Sequence, residues 1–531
     1  MPQRIGPKDL DVSIRFGGGL HTRASEDEID PREAAGGKNF LLDLENRELR
    51  CRPPFDLVGV VPNAAEIRGG GSLLTSGGII KTFFQAGDTV YEWDGATTFT
   101  SIGSVNATAR LRGHWRSHNW QLDDVLLVTD MELTETVKQW DGATWADVAF
   151  TNEAAAAFGA FYAKYLSISH ERAVFANTRD AGGFFPQMMV GAERSNYQVI
   201  TVNQRPGGDP EDPFFLVTPD IKPINGLVEA FGSTIISTEK GQLFNLTGFD
   251  ASDFSFTDFY AGSSASGAES MAYVGNDIFY GRAGRIESVR DTDRFGDSEA
   301  DDLTSGIADQ VADYTGWRIV YNSRLNRAYL FPSGISECWV YNIAMRGGKL
   351  SPWMRWRTDH SLAFLPTFVM AMLDPADGLE YVFMGDSSGH IYRLEGRGAG
   401  DGGATAIATE WLTRLFVAPL DAEFYRIEGY VKYRKNVAFN IDMTFEYAGY
   451  ELSTQGVSMT VPTTGITAWY FGGNYYWGGN IYWGASAINR LLRQRFQAAG
   501  QASDFQVRIN VNSPNAFALN EIGLRFIASS Q

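Results

Sequence analysis

A repeat places the tightest constraint on this chain. Val90-Tyr-Glu-Trp-Asp-Gly-Ala-Thr97 returns, after a shift of 47 residues, as Val137-Lys-Gln-Trp-Asp-Gly-Ala-Thr144. In both copies an alternation of apolar and polar residues, the period of a half-buried strand, runs into Asp-Gly, a dipeptide that readily supplies the positive φ of a tight hairpin. Ahead of the first copy, Thr82-Phe-Phe-Gln-Ala-Gly-Asp88 adds another strand and turn, so the unit reads as a meander. Degenerate versions follow: Thr234 to Leu246, Asp277 to Val289 and Tyr381 to Leu394 each read as two short strands about a Gly turn, and Arg327–Phe331 with Cys338–Tyr341 reads as a further hairpin. A unit this small cannot bury an apolar face alone, and stacking neighbours is what would give it a core. Turns recur every 42 to 62 residues between about positions 60 and 400. This spacing predicts an all-β chain built around a β-propeller of six or seven blades, possibly irregular, at roughly 40–50 residues per blade. Unrelated hairpins within a large β-sandwich are the alternative.

Length asks for more than one unit. The 531 residues exceed the roughly 250–300 at which a single core stops growing, a limit that only repeat architectures escape. The propeller is assigned to residues 56–400. Near Arg397-Gly-Ala-Gly-Asp-Gly-Gly403 the pattern breaks, and such a Gly-rich stretch reads as a linker or long turn. Beyond it, Phe424–Tyr433, Val437–Tyr447, Phe505–Val511 and Ile522–Phe526 carry strand-like alternation, which predicts a C-terminal β-sandwich over 404–531. Residues 1–55 are read as an extended N-terminal segment. Helical signals are few and short: Asn152–Lys164 has high helix propensity after a capping Thr and reads as a connecting helix or a loop insertion, and Asp301–Tyr314 is a weaker case. Ala485–Ala499 fits either an amphipathic helix or a hairpin strand.

Charge narrows the function classes. Sixty-three Asp and Glu against forty-five Lys and Arg leave a net charge of −18, which argues against a protein that grips nucleic acid by neutralising phosphates. The last 128 residues hold ten Lys and Arg against nine Asp and Glu, so the acidity belongs to the preceding part. Two distant cysteines, Cys51 and Cys338, offer neither a disulfide framework nor a thiolate metal set. No run approaches the roughly 18 apolar residues of a membrane span, and the N-terminus lacks the apolar stretch of a signal peptide. The expectation is a soluble protein made in the cytosol, without membrane insertion.

Tests for chemistry mostly fail. Of the six histidines, only His114 and His118 have a spacing that could put two metal ligands on one helix face, and they sit among Trp, Gly and Asn rather than in a helix-forming run. Loop histidines are the plainer reading. Gly17-Gly-Gly19 and Gly69-Gly-Gly71 lack the strand-to-helix context of a phosphate loop. Carboxylates that a propeller glycosidase would need are present as Asp123-Asp124, Asp250, Glu299 and Asp301-Asp302, but an acidic chain produces such pairs by chance. No catalytic, metal or cofactor residues are assigned, and the chain is expected not to be an enzyme.

Composition is oddest in Trp469-Tyr-Phe-Gly-Gly-Asn-Tyr-Tyr-Trp-Gly-Gly-Asn-Ile-Tyr-Trp-Gly484, where a six-residue unit occurs twice. Its aromatics suit a protein interface or sugar stacking, and packing onto the sandwich is the alternative. The interface candidates are Tyr475, Tyr476, Trp477, Tyr482 and Trp483.

Three N-terminal motifs carry a family resemblance. Ile14-Arg-Phe-Gly-Gly-Gly-Leu20, then Asp30-Pro-Arg-Glu-Ala-Ala-Gly-Gly-Lys-Asn39, then Arg47-Glu-Leu-Arg-Cys-Arg-Pro53-Pro-Phe55 look like the opening of phage tail hub proteins: a Gly-Gly-Leu strand, an Asn in an extended segment, and a basic Pro-containing turn before the first blade. Pro54 stands where Gly is more usual. The Ala328–Tyr341 hairpin, the Trp353-Met-Arg-Trp356 strand and the terminal sandwich agree in layout, so the chain resembles the tail hub or nozzle (packaged-DNA stabilisation) proteins of short-tailed phages over nearly its whole length. This resemblance implies a virion protein, synthesised in the host cytoplasm. It would form a homo-hexameric ring below portal and adaptor proteins, extend the DNA channel, and dock tail fibres or spikes. Duplex DNA would pass without specific binding. It also implies that Arg490–Ala499 is a strand paired with Phe505–Val511. A carbohydrate-binding propeller used in host recognition and, further off, a propeller glycosidase are the competing readings.

Overall fold

A computed structural model describes residues 9–23, 28–43, 48–114, 124–169, 171–201, 209–239, 241–261, 264–291, 298–357, 365–396, 401, 405–417, 422–434, 439–448, 454–461, 491–502, 504–513 and 517–530. These residues are almost entirely β. One short α-helix, Ala308–Val311, and three 3₁₀ turns make up the helix among them.

Seven antiparallel four-stranded blades form a closed propeller. Blade 1 runs Ile67–Leu74, Ile80–Ala86, Thr89–Trp93 and Phe99–Ser104, and blade 2 runs Leu111–His114, Leu126–Asp130, Lys138–Trp140 and Trp145–Asp147. Blades 3 to 6 begin with the inner strands Tyr162–Ser169, Ile224–Ala230, Met271–Val274 and Trp317–Asn322. Blade 7 takes Phe368–Leu373, Glu380–Gly385 and His390–Arg393 from one end of the propeller sequence and Asp56–Val60 from the other. That exchange closes the ring without a covalent bond and leaves no open sheet at the seam.

The sequence repeat falls on equivalent positions of neighbouring blades. Trp93 and Trp140 each end a third strand, both are buried, and the Asp-Gly turns lead into the fourth strands. Asp94 accepts from the backbone N–H groups of Ala96 and Thr98, and Asp141 from those of Ala143 and Thr144. Gly95 and Gly142 take φ of 83° and 85°, a region that disfavours any residue with a Cβ. The Gly69-Gly-Gly71 run proves to be a packing device. A Cβ on Gly69 would stand 2.6 Å from the Leu111 carbonyl oxygen, and one on Gly71 would stand 2.8 Å from the Gly113 Cα. Only bare backbone allows the inner strands of blades 1 and 2 to meet at the Gly70–Arg112 bridge.

The remaining strands make a sandwich of two sheets, and the N-terminal segment is woven into it. In one sheet Ala518–Ser530 pairs with Asp9–Arg15, Glu48–Cys51 and Ala422–Arg434; Phe40–Asp43 lies beyond Glu48–Cys51, and Leu491–Ala502 beyond Ala422–Arg434. The other sheet runs Gly36–Lys38, Ile407–Leu412, Asp504–Ser513, Phe439–Ala448 and Thr454–Val461, with Phe416–Val417 also beside Asp504–Ser513. Residues 9–51 therefore contribute four strands to the unit that the sequence reading confined to 404–531. Alternation explains the packing: Phe505, Val507, Ile509 and Val511 all face the interior, against Trp411, Phe40 and Leu519.

Two sequence expectations are corrected and one choice is settled. Asn152–Lys164 is a loop up to Phe161, the second of its two readings, and not a helix. The Asn152 side-chain oxygen accepts from the backbone N–H groups of Ala154 and Ala156, Ala155 and Gly159 take positive φ, and a strand begins at Tyr162. Burying Phe150 and Phe161 between blades 2 and 3 outweighs the helix propensity of the alanines. In Asp301–Tyr314 only one turn of α-helix forms, after a 3₁₀ turn. Leu491–Ala502 is a strand, but its partner is Ala422–Arg434 and not the following strand. A single residue separates it from Asp504–Ser513, and the chain crosses there from one sheet to the other, as at a sandwich corner.

Candidate functional site

Two buried clusters of charge stand out, one where propeller meets sandwich and one in the propeller's bore. At the junction Arg52, fully buried, donates to both oxygens of Asp401, to the Asn39 side-chain oxygen at 3.1 Å, and to the carbonyls of Pro53 and Arg357. The Asp401 carboxylate also accepts from the Phe55 N–H at 3.0 Å, and the guanidinium lies 3.8 Å over the Phe55 ring. Asn39, held at φ 57°, donates to the Ala408 carbonyl and accepts from the Arg357 N–H. Four distant stretches of sequence are thus tied at one point, and each polar atom of the pair is used. Asp401 sits in the Gly-rich stretch that reads from the sequence as a linker or long turn, and here it anchors the chain.

Around that node one apolar core runs without a break from blades 5, 6 and 7 into the sandwich, through Trp317, Trp339, Trp353, Trp356 and Trp411. The Gly17-Gly-Gly19 run is part of it. Gly19 and Leu20 donate to the Ser351 and Trp353 carbonyls, and a Cβ on Gly19 would stand 2.0 Å from the Trp353 oxygen. The segment that follows the first strand is therefore laid directly against blade 6, backbone on backbone.

The bore holds the other cluster. Inner strands of blades 2 to 7 enclose a cavity of about 400 Å³. Glu269 enters it from the 3₁₀ turn Ala268–Ser270 ahead of blade 5. Its Oε1 accepts from Arg112 of blade 2, and its Oε2 from Arg110 at 3.3 Å and from Arg318 of blade 6 at 3.0 Å. Burial alone would raise the Glu269 pKa, but Arg112, Arg318 and Arg110 overcome it and bring it down to about 2. The carboxylate is ionised at any ordinary pH and unsuited to general acid work. Burial, with the Arg112 charge beside it, lowers the His114 pKa to about 4, so the imidazole is neutral and bonded to the Thr129 hydroxyl at 3.1 Å. Lys164 of blade 3 and Tyr165, Tyr273 and Tyr321 also line the space. A cavity this size fits a small molecule, not a nucleic-acid duplex.

The residues singled out by sequence are scattered by comparison. Tyr475, Tyr476, Trp477, Tyr482 and Trp483 lie outside the described residues, as do His118 and Asp123. Asp124 accepts from Ser76 at the rim between blades 1 and 2, Asp250 lies in a turn of blade 4, and Glu299, Asp301 and Asp302 lie on the outer strand of blade 5. These carboxylates lie on blades 2, 4 and 5. His21 pairs with Glu33 and His390 with Asp386, each within its own turn or clasp. Among the described residues no three potential metal ligands cluster, and no helix is long and apolar enough to cross a membrane. Sequence reasoning missed Arg110, Arg318 and Glu269, because nothing local marks them; the one available signal was that each flanks or occupies the first strand of its blade.

No protein-family model matches the sequence, and neither does any curated protein. Among solved structures the chain is similar to YCF48 bound to D1 peptide (10% identity, 64% of this chain and 96% of that chain, TM-score 0.40). It is also similar to YCF48 from Cyanidioschyzon merolae (11%, 64% and 98%, TM-score 0.38) and to the WD40 domain of Toxoplasma gondii coronin (9%, 73% and 86%, TM-score 0.37). The likeness concerns the β-propeller layout, already given by the strand order, and reaches no further.

Proposed function

We propose that this protein is a structural building block of a phage tail: a hub or nozzle subunit that assembles into a homo-hexameric ring below the portal and adaptor, extends the DNA channel and presents surfaces for fibres or spikes. The observation that supports this reading is the unbroken core from blades 5–7 into the sandwich, closed by the Arg52–Asp401 pair and by strands from both chain ends. A chain so tied behaves as one rigid wedge, which is what a load-bearing ring requires of its subunit, because relative motion of its parts would open the ring contacts. The N-terminal residues that carry the family resemblance, Gly19 and Asn39 to Phe55, are those that make the tie.

Charge is compatible with a conduit. DNA would pass between subunits, since the bore of each propeller is small and crossed by Glu269 and its arginines. A net charge of −18, all of it before the sandwich's C-terminal strands, would keep phosphates from sticking and sliding barriers low. The aromatic residues Tyr475, Tyr476, Trp477, Tyr482 and Trp483 are the proposed contact with a neighbouring subunit or a docked protein. Mass photometry and negative-stain imaging of the purified chain test the reading: a six-fold ring with an axial channel is expected, and Trp477→Ala with Trp483→Ala should weaken assembly while the monomer stays folded. A monomer at high concentration that also fails to assemble with portal and adaptor proteins would overturn it. Binding on a glycan array would favour the host-recognition alternative.

A further inference from the structure

The cationic charge in the bore is not matched. Arg110, Arg112 and Arg318 converge on Glu269, whose two oxygens they share, and among the described residues the one other carboxylate within ion-pair distance of these arginines is Glu132, half-exposed and 3.9 Å from Arg110. The Lys164 ammonium, on the wall of the same cavity, has no hydrogen-bond or ion-pair partner among the described residues. Among the described residues these four cations have two carboxylates within ion-pair distance, with the Glu239 charge acting on Tyr165 of the same wall, inside a chain whose overall charge is −18. An excess of one sign in a partly desolvated space is costly unless something of the other sign enters it. The neutral state of His114 reflects the same local field, since Arg112 adds to burial in disfavouring its protonation.

We propose that the propeller bore is a binding site for a small organic anion presenting a phosphate or carboxylate group, received by Lys164 and by the Arg318 Nη2, while Arg112, whose Nη1 donates to the Arg68 and Leu111 carbonyls, adds its charge. Space and chemistry agree. The cavity of about 400 Å³ falls within the range of small-molecule sites, roughly 300–1,000 Å³. Its wall joins the charged groups to Leu227, Ile319 and Val369, apolar surface that would cover the body of the ligand, and to Tyr165. Glu269 does not close the site. It holds the arginines in place and leaves them a surplus, as a preorganised anion site requires.

Calorimetric titration of the full chain with inorganic phosphate and, separately, with citrate, at ionic strength held constant by potassium chloride, tests this. One saturable site per chain is expected for at least one of the two, and which probe binds more tightly tells a phosphate site from a carboxylate site. Lys164→Gln should weaken that binding at least about tenfold, the loss of one charge-assisted hydrogen bond, while melting of the anion-free protein is unchanged. Glu269→Gln should strengthen it. Absence of saturable binding by either probe overturns the proposal, as does equal affinity in the wild type and Lys164→Gln.

Discussion

The junction and the bore are both built from buried arginine and carboxylate, yet they differ in stoichiometry. At the junction one guanidinium meets one carboxylate, and the donors left over go to backbone carbonyls and Asn39. In the bore three guanidiniums share a single carboxylate. The first arrangement is closed and can only hold parts together. The second holds parts together and remains attractive to a further anion. Number of charges, not their depth, separates a strut from a receptor.

Asp401→Ala should have the largest effect, because it strands the Arg52 charge in a fully buried site: about 3–5 kcal/mol of stability, measured by urea unfolding. A loss under 1 kcal/mol would mean that the junction is not closed. Gly19→Ala follows at about 3 kcal/mol, since the new methyl meets the Trp353 carbonyl oxygen and the segment around Gly19 must lift from blade 6; increased proteolysis ahead of the propeller is the readout. Glu269→Gln should cost about 2 kcal/mol by leaving three arginines around a neutral amide. The pH dependence has a definite sign. A folded pKa of about 2 against an ordinary value of 4.5 means that Glu269 contributes its stability above about pH 4.5, and that this contribution is lost as pH falls from there toward 2. The difference between wild type and Glu269→Gln should shrink over that interval in acid unfolding curves. Lys164→Gln should change stability by less than about 0.5 kcal/mol, which sets apart a residue that serves a ligand from one that serves the fold.

Legibility in the sequence followed the same division. Blade strands were readable because alternation and Asp-Gly turns are local, and the repeat around Trp93 and Trp140 located equivalent strands of two blades. The two Gly triplets were visible as oddities but not as contacts, since the backbones they accommodate lie at Leu111 and Gly113 in one case and at Trp353 in the other. The Asn152–Lys164 run left helix and loop both open, because helix propensity amounts to tenths of a kcal/mol per residue, whereas burying two phenylalanines amounts to several. Neither cluster of charge could be read, because Arg52 and Asp401 are 349 residues apart and Arg112 and Glu269 are 157 apart.

By itself the sequence determined an all-β chain with a stacked repeat, an acidic body and a near-neutral C-terminal part, all of them properties carried by composition or by neighbours within a hairpin. Blade number, the strand from Asp56–Val60 that closes the ring, the weaving of residues 9–51 into the sandwich and the meeting of three arginines over Glu269 were decided by tertiary structure alone. Ring closure is the physical reason. How many blades complete a circle, and which side chains then face one another across its centre, depends on the twist and spacing of every sheet together, and no local stretch of sequence carries that sum.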